Sequence, residues 1–123
     1  MSIFSNIAKD KIIHKGKFFF LIFDSFPVSP GHILIISHEE KTDYFSLSSK
    51  AHIELTTLIE VAKEIIEMDY NPDGYNIGWN VGEVAGQNVE HAHLHVIARF
   101  KDEPLAYKGL RYAFKQELNR RPE

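Results

Sequence analysis

The sequence predicts an α+β domain: a five-stranded, mostly antiparallel sheet with one long helix on a face and a short helix near the N-terminus. Three observations carry this. His91-Ala92-His93-Leu94-His95-Val96-Ile97 alternates polar and apolar residues, the period of a strand whose side chains point to opposite faces. Leu55, Leu58, Ile59, Ala62, Ile65 and Ile66 recur at helical spacing. Short β-rich runs separated by glycine and proline turns fill most of the remaining chain.

Ser2 is placed to cap a short helix over Ile3 to Ala8, with Phe4 and Ile7 turned inward. Ile12 and Ile13 read as a first strand, Lys15-Gly16 as a turn and Lys17 to Asp24 as a second strand, together a hairpin. Two prolines stiffen the loop Phe26-Pro27-Val28-Ser29-Pro30-Gly31. His32 to Ser37 is a third strand, and its nearly continuous Ile33-Leu34-Ile35-Ile36 predicts burial on both faces. Ser48 is a good N-cap for a helix from Ser49 to Met68. Val61 and Met68 widen that helix's apolar stripe, so it either serves one broad core face or serves the sheet and a partner subunit. Asn71-Pro72-Asp73-Gly74 is a turn, and Tyr75, Ile77 and Trp79 alternate with Asn76, Gly78 and Asn80 in a fourth strand. A loop from Gly82 to Gln87 leads into the histidine strand, and the polar segment 101–123 is expected to wrap the surface.

At 123 residues, 44% hydrophobic and 25% charged, the chain is expected to form one domain spanning 1–123 with a substantial core. A net charge of −3 and a pI near 6.1 argue against a general nucleic-acid binder, which shows a basic footprint. The absence of cysteine excludes disulfides and thiolate zinc sites. No basic region followed by an apolar run marks a secretory signal, and the run Phe18 to Phe23 is too short to span a bilayer. No membrane association is expected, and cytoplasm is the expected compartment.

A strand face presenting His91, His93 and His95 needs a reason, because adjacent imidazoles repel when protonated and buried ones want partners. Metal ligation, proton transfer and nucleophilic attack are the three common uses. Alternate strand histidines can hold a zinc ion with an open fourth position, giving a zinc-binding hydrolase or a metal-binding module. Such a site also wants a carboxylate base, and Glu83 and Glu90 are the nearby candidates, neither distinctively spaced. A nucleophilic imidazole must be neutral and held in one tautomer, with donors to meet the phosphate charge and a proton for the leaving group.

The run Gly86-Gln87-Asn88-Val89-Glu90-His91-Ala92-His93-Leu94-His95-Val96-Ile97 resembles the signature of the histidine-triad (HIT) nucleotide hydrolases and transferases. That signature is His-φ-His-φ-His-φ-φ, with φ apolar, usually preceded by Gly-Gln. Ile3-Phe4, the stretch from Phe23 to His32 and Tyr75-Asn76-Ile77-Gly78-Trp79-Asn80 fall in the family's order and spacing. The resemblance covers roughly residues 3 to 100, far more than a lone motif. Gly109-Leu110-Arg111-Tyr112 also resembles the tail of bacterial members grouped near the dinucleoside-polyphosphate hydrolases.

The resemblance implies a HIT-like fold and a nucleotidyl hydrolase that cleaves at the α-phosphate of purine nucleoside 5′-phosphoryl compounds. Dinucleoside polyphosphates and nucleoside phosphoramidates both fit. It implies that His93 is the nucleophile forming a nucleotidyl-histidine, that His95 contacts phosphate oxygens, and that His91 braces the site. His32, after Pro30-Gly31, matches a histidine packed beside the triad. Asn80, Gln87 and Asn88 match positions close to the phosphates. Asp24 matches the ribose-holding position, and Ile3, Phe4, Ile7 and Ile22 match the lining of the base pocket.

No metal and no cofactor is implied, beyond Mg²⁺ carried by a polyphosphate substrate. The partner implied besides the purine nucleotide is a second copy of the chain, since family members pair. The sequence departs from the pattern in three places. Asn88 replaces a usual Ser or Thr, Ala98 replaces a usual Pro, and the zinc-binding cysteines that some members carry near the N-terminus are missing. His14, His38 and His52 lie outside the motifs and are expected at the surface.

Overall fold

The computed structural model describes residues 1–122; the single-domain expectation of 1–123 thus includes one residue, Glu123, outside the described residues. Five strands form one sheet: β1 (His14–Lys15), β2 (Phe19–Phe23), β3 (His32–Ser37), β4 (Gly74–Gly78) and β5 (His93–Arg99). Their spatial order is β1-β2-β3-β5-β4, and every pairing is antiparallel. The helix α1 (Ser49–Asp69) is the crossover between β3 and β4.

The continuous apolar run in β3 is buried along its whole length because both sheet faces are covered. One face packs Phe19, Leu21, Ile33, Ile35, Leu94, Val96 and Ala98 against Leu55, Leu58, Ala62 and Ile66 of α1. On the other face Phe20, Ile22, Leu34 and Ile36 pack beneath Phe4 of the N-terminal segment.

Ser48 caps α1, its hydroxyl accepting from the N–H of Ala51 at 3.2 Å. Glu54, on the first half of α1, accepts from the N–H groups of Lys17 and Phe18 and so ties the β1–β2 turn to the helix. Val61 and Ile65 pack partly against the sheet core, whereas Met68 and Ile53 stay exposed. The widened stripe is therefore only partly spent on the sheet.

Gly31 is required where β3 begins. Its φ is +80°, and a Cβ there would approach Ile66 Cγ2 to 2.9 Å and Ala98 Cβ to 3.2 Å. Ser29 fastens the same loop by donating to the carbonyl of Ala98 at 2.6 Å.

Several boundaries differ from the sequence reading: β2 starts at Phe19 rather than Lys17, and β4 ends at Gly78, short of Trp79 and Asn80. The N-terminal helix shrinks to a single 3₁₀ turn, Ile3–Asn6. β1 begins at His14 rather than at Ile12, because Lys9–Lys11 form another 3₁₀ turn first. β5 begins at His93, so His91 precedes the strand. The backbone before it pairs elsewhere: the Ala92 N–H donates to Lys41 O and the Ser37 N–H to Ala92 O. The described part of the C-terminal segment, 101–122, is a series of mostly exposed turns. No helix among the described residues is long and apolar enough to cross a membrane.

Candidate active site

The chemistry collects on the sheet face opposite α1. His93 and His95 of β5 lie across from Ile36 and Leu34 of β3. The period of two puts their rings on one face and Leu94 and Val96 in the helix-side core. A cavity of about 500 Å³ opens there, with Ile3, Phe4, Ile7 and Ile22 at one side and Asp24, His32, His93 and His95 at the other. Asn80, Gly86, Asn88 and Val89, from the loop between β4 and β5, complete the wall.

Ten of the twelve residues singled out in the sequence meet in this cavity. Two do not. Gln87 is buried and fully engaged with backbone: it donates to the carbonyls of Thr42 at 2.7 Å and Val89 at 3.0 Å and accepts from Gly82 N–H at 2.9 Å. Its side chain shapes the loop and has no amide left for a phosphate. His91 is the other. It has no exposed surface, and its ring turns under the N-terminal segment instead of joining His93 and His95 in a row.

The hydrogen bonds assign the tautomers. His91 Nε2–H donates to the carbonyl of Ser37 at 2.7 Å, which leaves Nδ1 to accept from the Ser2 hydroxyl at 2.5 Å. His93 Nδ1–H donates to the carbonyl of His91 at 2.6 Å, so the lone pair of Nε2 is the one left for chemistry. His32 Nδ1 accepts from Val28 N–H at 3.3 Å, and its Nε2–H then donates to His95 Nδ1 at 2.9 Å. His95 therefore carries its proton on Nε2. One imidazole offers a lone pair and its neighbour offers a donor, with ring centroids 5.2 Å apart.

Burial sets the charge state. Desolvation holds His93 below the ordinary imidazole value, outweighing the bond to the His91 carbonyl. Burial, with the nearby His93 and His32 rings, pushes His95 down to about 4. Burial lowers His32 as well, partly offset by Asp24. All three are neutral near pH 7, as a nucleophile and its hydrogen-bonding neighbours require.

Asp24 follows β2 at the cavity edge. One carboxylate oxygen accepts from Phe26 N–H at 3.1 Å, which shapes the turn, while the other lies 3.4 Å from His32 Nδ1. Donor atoms of Asp24, His32 and His95 lie within 4.8 Å of one another, and these three could converge on a cation. The set His91, His93 and His95 could not do so without breaking one of the two ring hydrogen bonds of His91.

Sequence reasoning missed Ser2 as a site residue. Its hydroxyl accepts from Phe4 N–H at 3.1 Å as a cap and also bonds His91, joining the turn that carries Ile3 and Phe4 to the triad. Phe4 in turn sets its ring edge against His93, with centroids 5.0 Å apart.

Known proteins resemble this chain in sequence and fold. The chain is 28% identical over 90 residues to the AP-4-A phosphorylase of Mycobacterium tuberculosis, covering 72% of this chain and 46% of that protein. It is 32% identical over 88 residues to the asymmetrical bis(5′-nucleosyl)-tetraphosphatase of Schizosaccharomyces pombe, covering 68% and 48%. The chain thus spans about half the length of these curated relatives. Among solved structures, the diadenosine triphosphate hydrolase of Plasmodium falciparum in complex with cyclomarin A superimposes with a TM-score of 0.74. It is 28% identical, with 79% of this chain and 66% of that one covered. A model of the HIT domain matches residues 5–102, most of the sequence, and the chain belongs to the HIT family.

Proposed function

We propose that this chain is a nucleotidyl hydrolase that cleaves purine nucleoside 5′-phosphoryl compounds at the α-phosphate, through a covalent bond to His93. The observation that carries this reading is the fixed tautomer of His93. Its Nδ1–H is committed to a carbonyl, its Nε2 lone pair is left for the cavity, and burial keeps it unprotonated. His93 Nε2 attacks the α-phosphorus, and the bond from phosphorus to the leaving atom breaks with its electron pair departing on the leaving group. Water then attacks the phosphorus and releases one proton to solvent, the P–N bond breaks with its electron pair returning to Nε2, and the nucleoside monophosphate leaves with neutral His93 restored.

His95 donates from Nε2 to the phosphate oxygens, and His32 holds it in that tautomer. Asn80 and Asn88, exposed on the cavity wall, supply amide donors to the phosphates. Ile3, Phe4, Ile7 and Ile22 form an apolar slot for the base, and Asp24 at its edge accepts from the ribose hydroxyls. The named relatives act on dinucleoside polyphosphates, which supports that substrate class over phosphoramidates. The reading includes a homodimer, a cytoplasmic setting, and no bound cofactor beyond Mg²⁺ accompanying a polyphosphate.

The test is mass spectrometry of the chain mixed with a slowly hydrolysed adenylate. An adenylyl adduct mapped to His93, absent from His93→Ala, is expected. His93→Ala should lower kcat by several powers of ten, on the order of 10³ or more. A variant that keeps more than about a tenth of wild-type kcat removes His93 as nucleophile.

A further inference from the structure

The sheet face that carries the triad continues beyond it. Along β5, Ile97 and Arg99 follow His95 on the same face, and Asn76 of β4 lies across from Ile97. A second hollow of about 230 Å³ sits there, lined by Ile97, Arg99, Asn76, Lys108 and Tyr112 among others, and it shares Val28 with the triad cavity. A third, of about 360 Å³, shares Lys108, Gly109 and Tyr112 with the second and adds Arg111 and Lys115. The second hollow thus adjoins both the one that holds His95 and the one lined by a group of cations.

Those cations belong to a segment whose charge is opposite to that of the chain. Residues 108–121 hold five Lys and Arg against one Glu, in a chain of net charge −3. Lys108, Arg111 and Lys115 are exposed, and among the described residues none has a carboxylate within ion-pair distance.

The turn that leads into the segment is strained. Tyr107 has φ +70°, the only positive φ outside glycine among the described residues. The Arg99 guanidinium brackets it, donating to the carbonyls of Leu105 at 2.7 Å and Lys108 at 2.8 Å while also engaging Asn76 and Glu103. An arginine on the catalytic face thus fixes where Lys108 stands.

We propose that Lys108, Arg111 and Lys115 form the binding site for the distal phosphates of the leaving group. This rests on the nucleotidyl-transfer reading. When the bond between the α-phosphorus and its bridging oxygen breaks, the electron pair stays on that oxygen, and the departing polyphosphate gains a negative charge. Cations already in place favour that charged state over the bound substrate. A phosphoramidate releases an amine and has no distal phosphate to engage them. The segment therefore selects dinucleoside polyphosphates.

The experiment compares two substrates on wild type and on the triple variant Lys108→Ala, Arg111→Ala, Lys115→Ala. Expected is a fall of about tenfold or more in kcat/KM for diadenosine tetraphosphate. Adenosine 5′-phosphoramidate should stay within about twofold. Inorganic tripolyphosphate should inhibit phosphoramidate hydrolysis by the wild type and need about tenfold more for the variant, with added salt erasing the difference. Equal loss on both substrates, or loss on neither, overturns the inference while leaving the triad chemistry standing. A wild type that turns over neither substrate overturns the nucleotidyl-transfer reading and this inference together.

Discussion

Replacing Ser2 with alanine should disturb stability and catalysis together, because one hydroxyl serves both. Ser2 Oγ accepts from Phe4 N–H at 3.1 Å and donates to His91 Nδ1 at 2.5 Å. Losing the cap costs about 1 kcal/mol. Leaving a buried imidazole nitrogen unsatisfied costs roughly 1–3 kcal/mol more. His91 is fully buried, but Ser2 is only half-buried, so entering water recovers part of this and about 2 kcal/mol remains. For a chain of this size that is a drop of about 8 °C in Tm. The catalytic consequence runs through the His91 carbonyl, which holds His93 in its reactive tautomer at 2.6 Å. Freed at Nδ1, His91 can reorient and carry that carbonyl with it, so kcat should fall by about tenfold. Ser2→Thr keeps the hydroxyl and should restore both quantities. Thermal melts, steady-state kinetics and ¹⁵N imidazole spectra of His91 form the assay. A Ser2→Ala protein melting within about 1 °C of wild type with unchanged kcat would refute the reasoning, since the cap and triad bonds would then contribute nothing.

Five further outcomes follow from the same geometry. Since burial keeps His93 and His95 below the ordinary imidazole value, the acid limb of kcat/KM should have its midpoint below 6.5; a midpoint at or above that value contradicts the neutral-nucleophile account. The unfolded chain takes up protons at these histidines before the folded chain does, so stability should be full above pH 6.5 and decline towards pH 4, read by urea melts across that window. Asp24→Asn keeps an oxygen for the turn at Phe26 but loses the charge, so adenosine monophosphate should bind about tenfold more weakly and its preference over the 2′-deoxy analogue should shrink; unchanged discrimination would leave Asp24 a turn residue only. Activity should survive prior chelation, whereas one tightly bound zinc ion whose removal abolishes turnover would move the chemistry to Asp24, His32 and His95. Sedimentation at micromolar concentration should show a homodimer, because β4 pairs on one side only and Ile77 on it is exposed, as are Ile53 and Met68 of α1; a clean monomer rejects that pairing.

Much of this site was legible because short-range patterns report short-range geometry. The unbroken apolar run of β3 announced burial on both faces, and Ser48 announced the start of α1. His93 and His95 obey strand alternation and meet in the cavity. The same alternation failed two residues upstream, at His91. Period two holds only while the strand continues, and the backbone at Ala92 is claimed by Lys41 and Ser37 instead. Gln87 failed for a related reason: an amide in a glycine-containing loop has backbone groups to satisfy first. Ser2 lies 89 residues from His91, and its cap signal gave no hint of the second bond. His32, by contrast, could be placed beside the triad only through the family motif, because the bond to His95 crosses between β3 and β5.

The division of labour along the chain has a consequence for specificity. The HIT model matches residues 5–102, which hold every histidine of the site together with Asp24, Asn80 and Asn88. Ser2, Ile3 and Phe4 precede that span, and the segment bearing Lys108, Arg111 and Lys115 follows it. The two flanks lie on the catalytic face at opposite ends: Phe4 covers Ile22 and Leu34, while Arg99 anchors the C-terminal turns beyond Ile97. On the proposed reading, the shared core supplies the nucleophile, its fixed tautomer and the phosphate donors, a set that does not by itself choose among nucleoside 5′-phosphoryl compounds. Choice among those compounds depends on what touches the base and what receives the leaving group, and part of the base slot (Ile3 and Phe4) and all of the proposed leaving-group cations come from outside the shared span. Changes in substrate preference between this chain and its relatives should therefore transfer with the flanks. Grafting 1–4 and 103–122 onto a relative's core should move preference more than exchanging the histidine strand, and a preference that follows the strand instead would place specificity back in the triad.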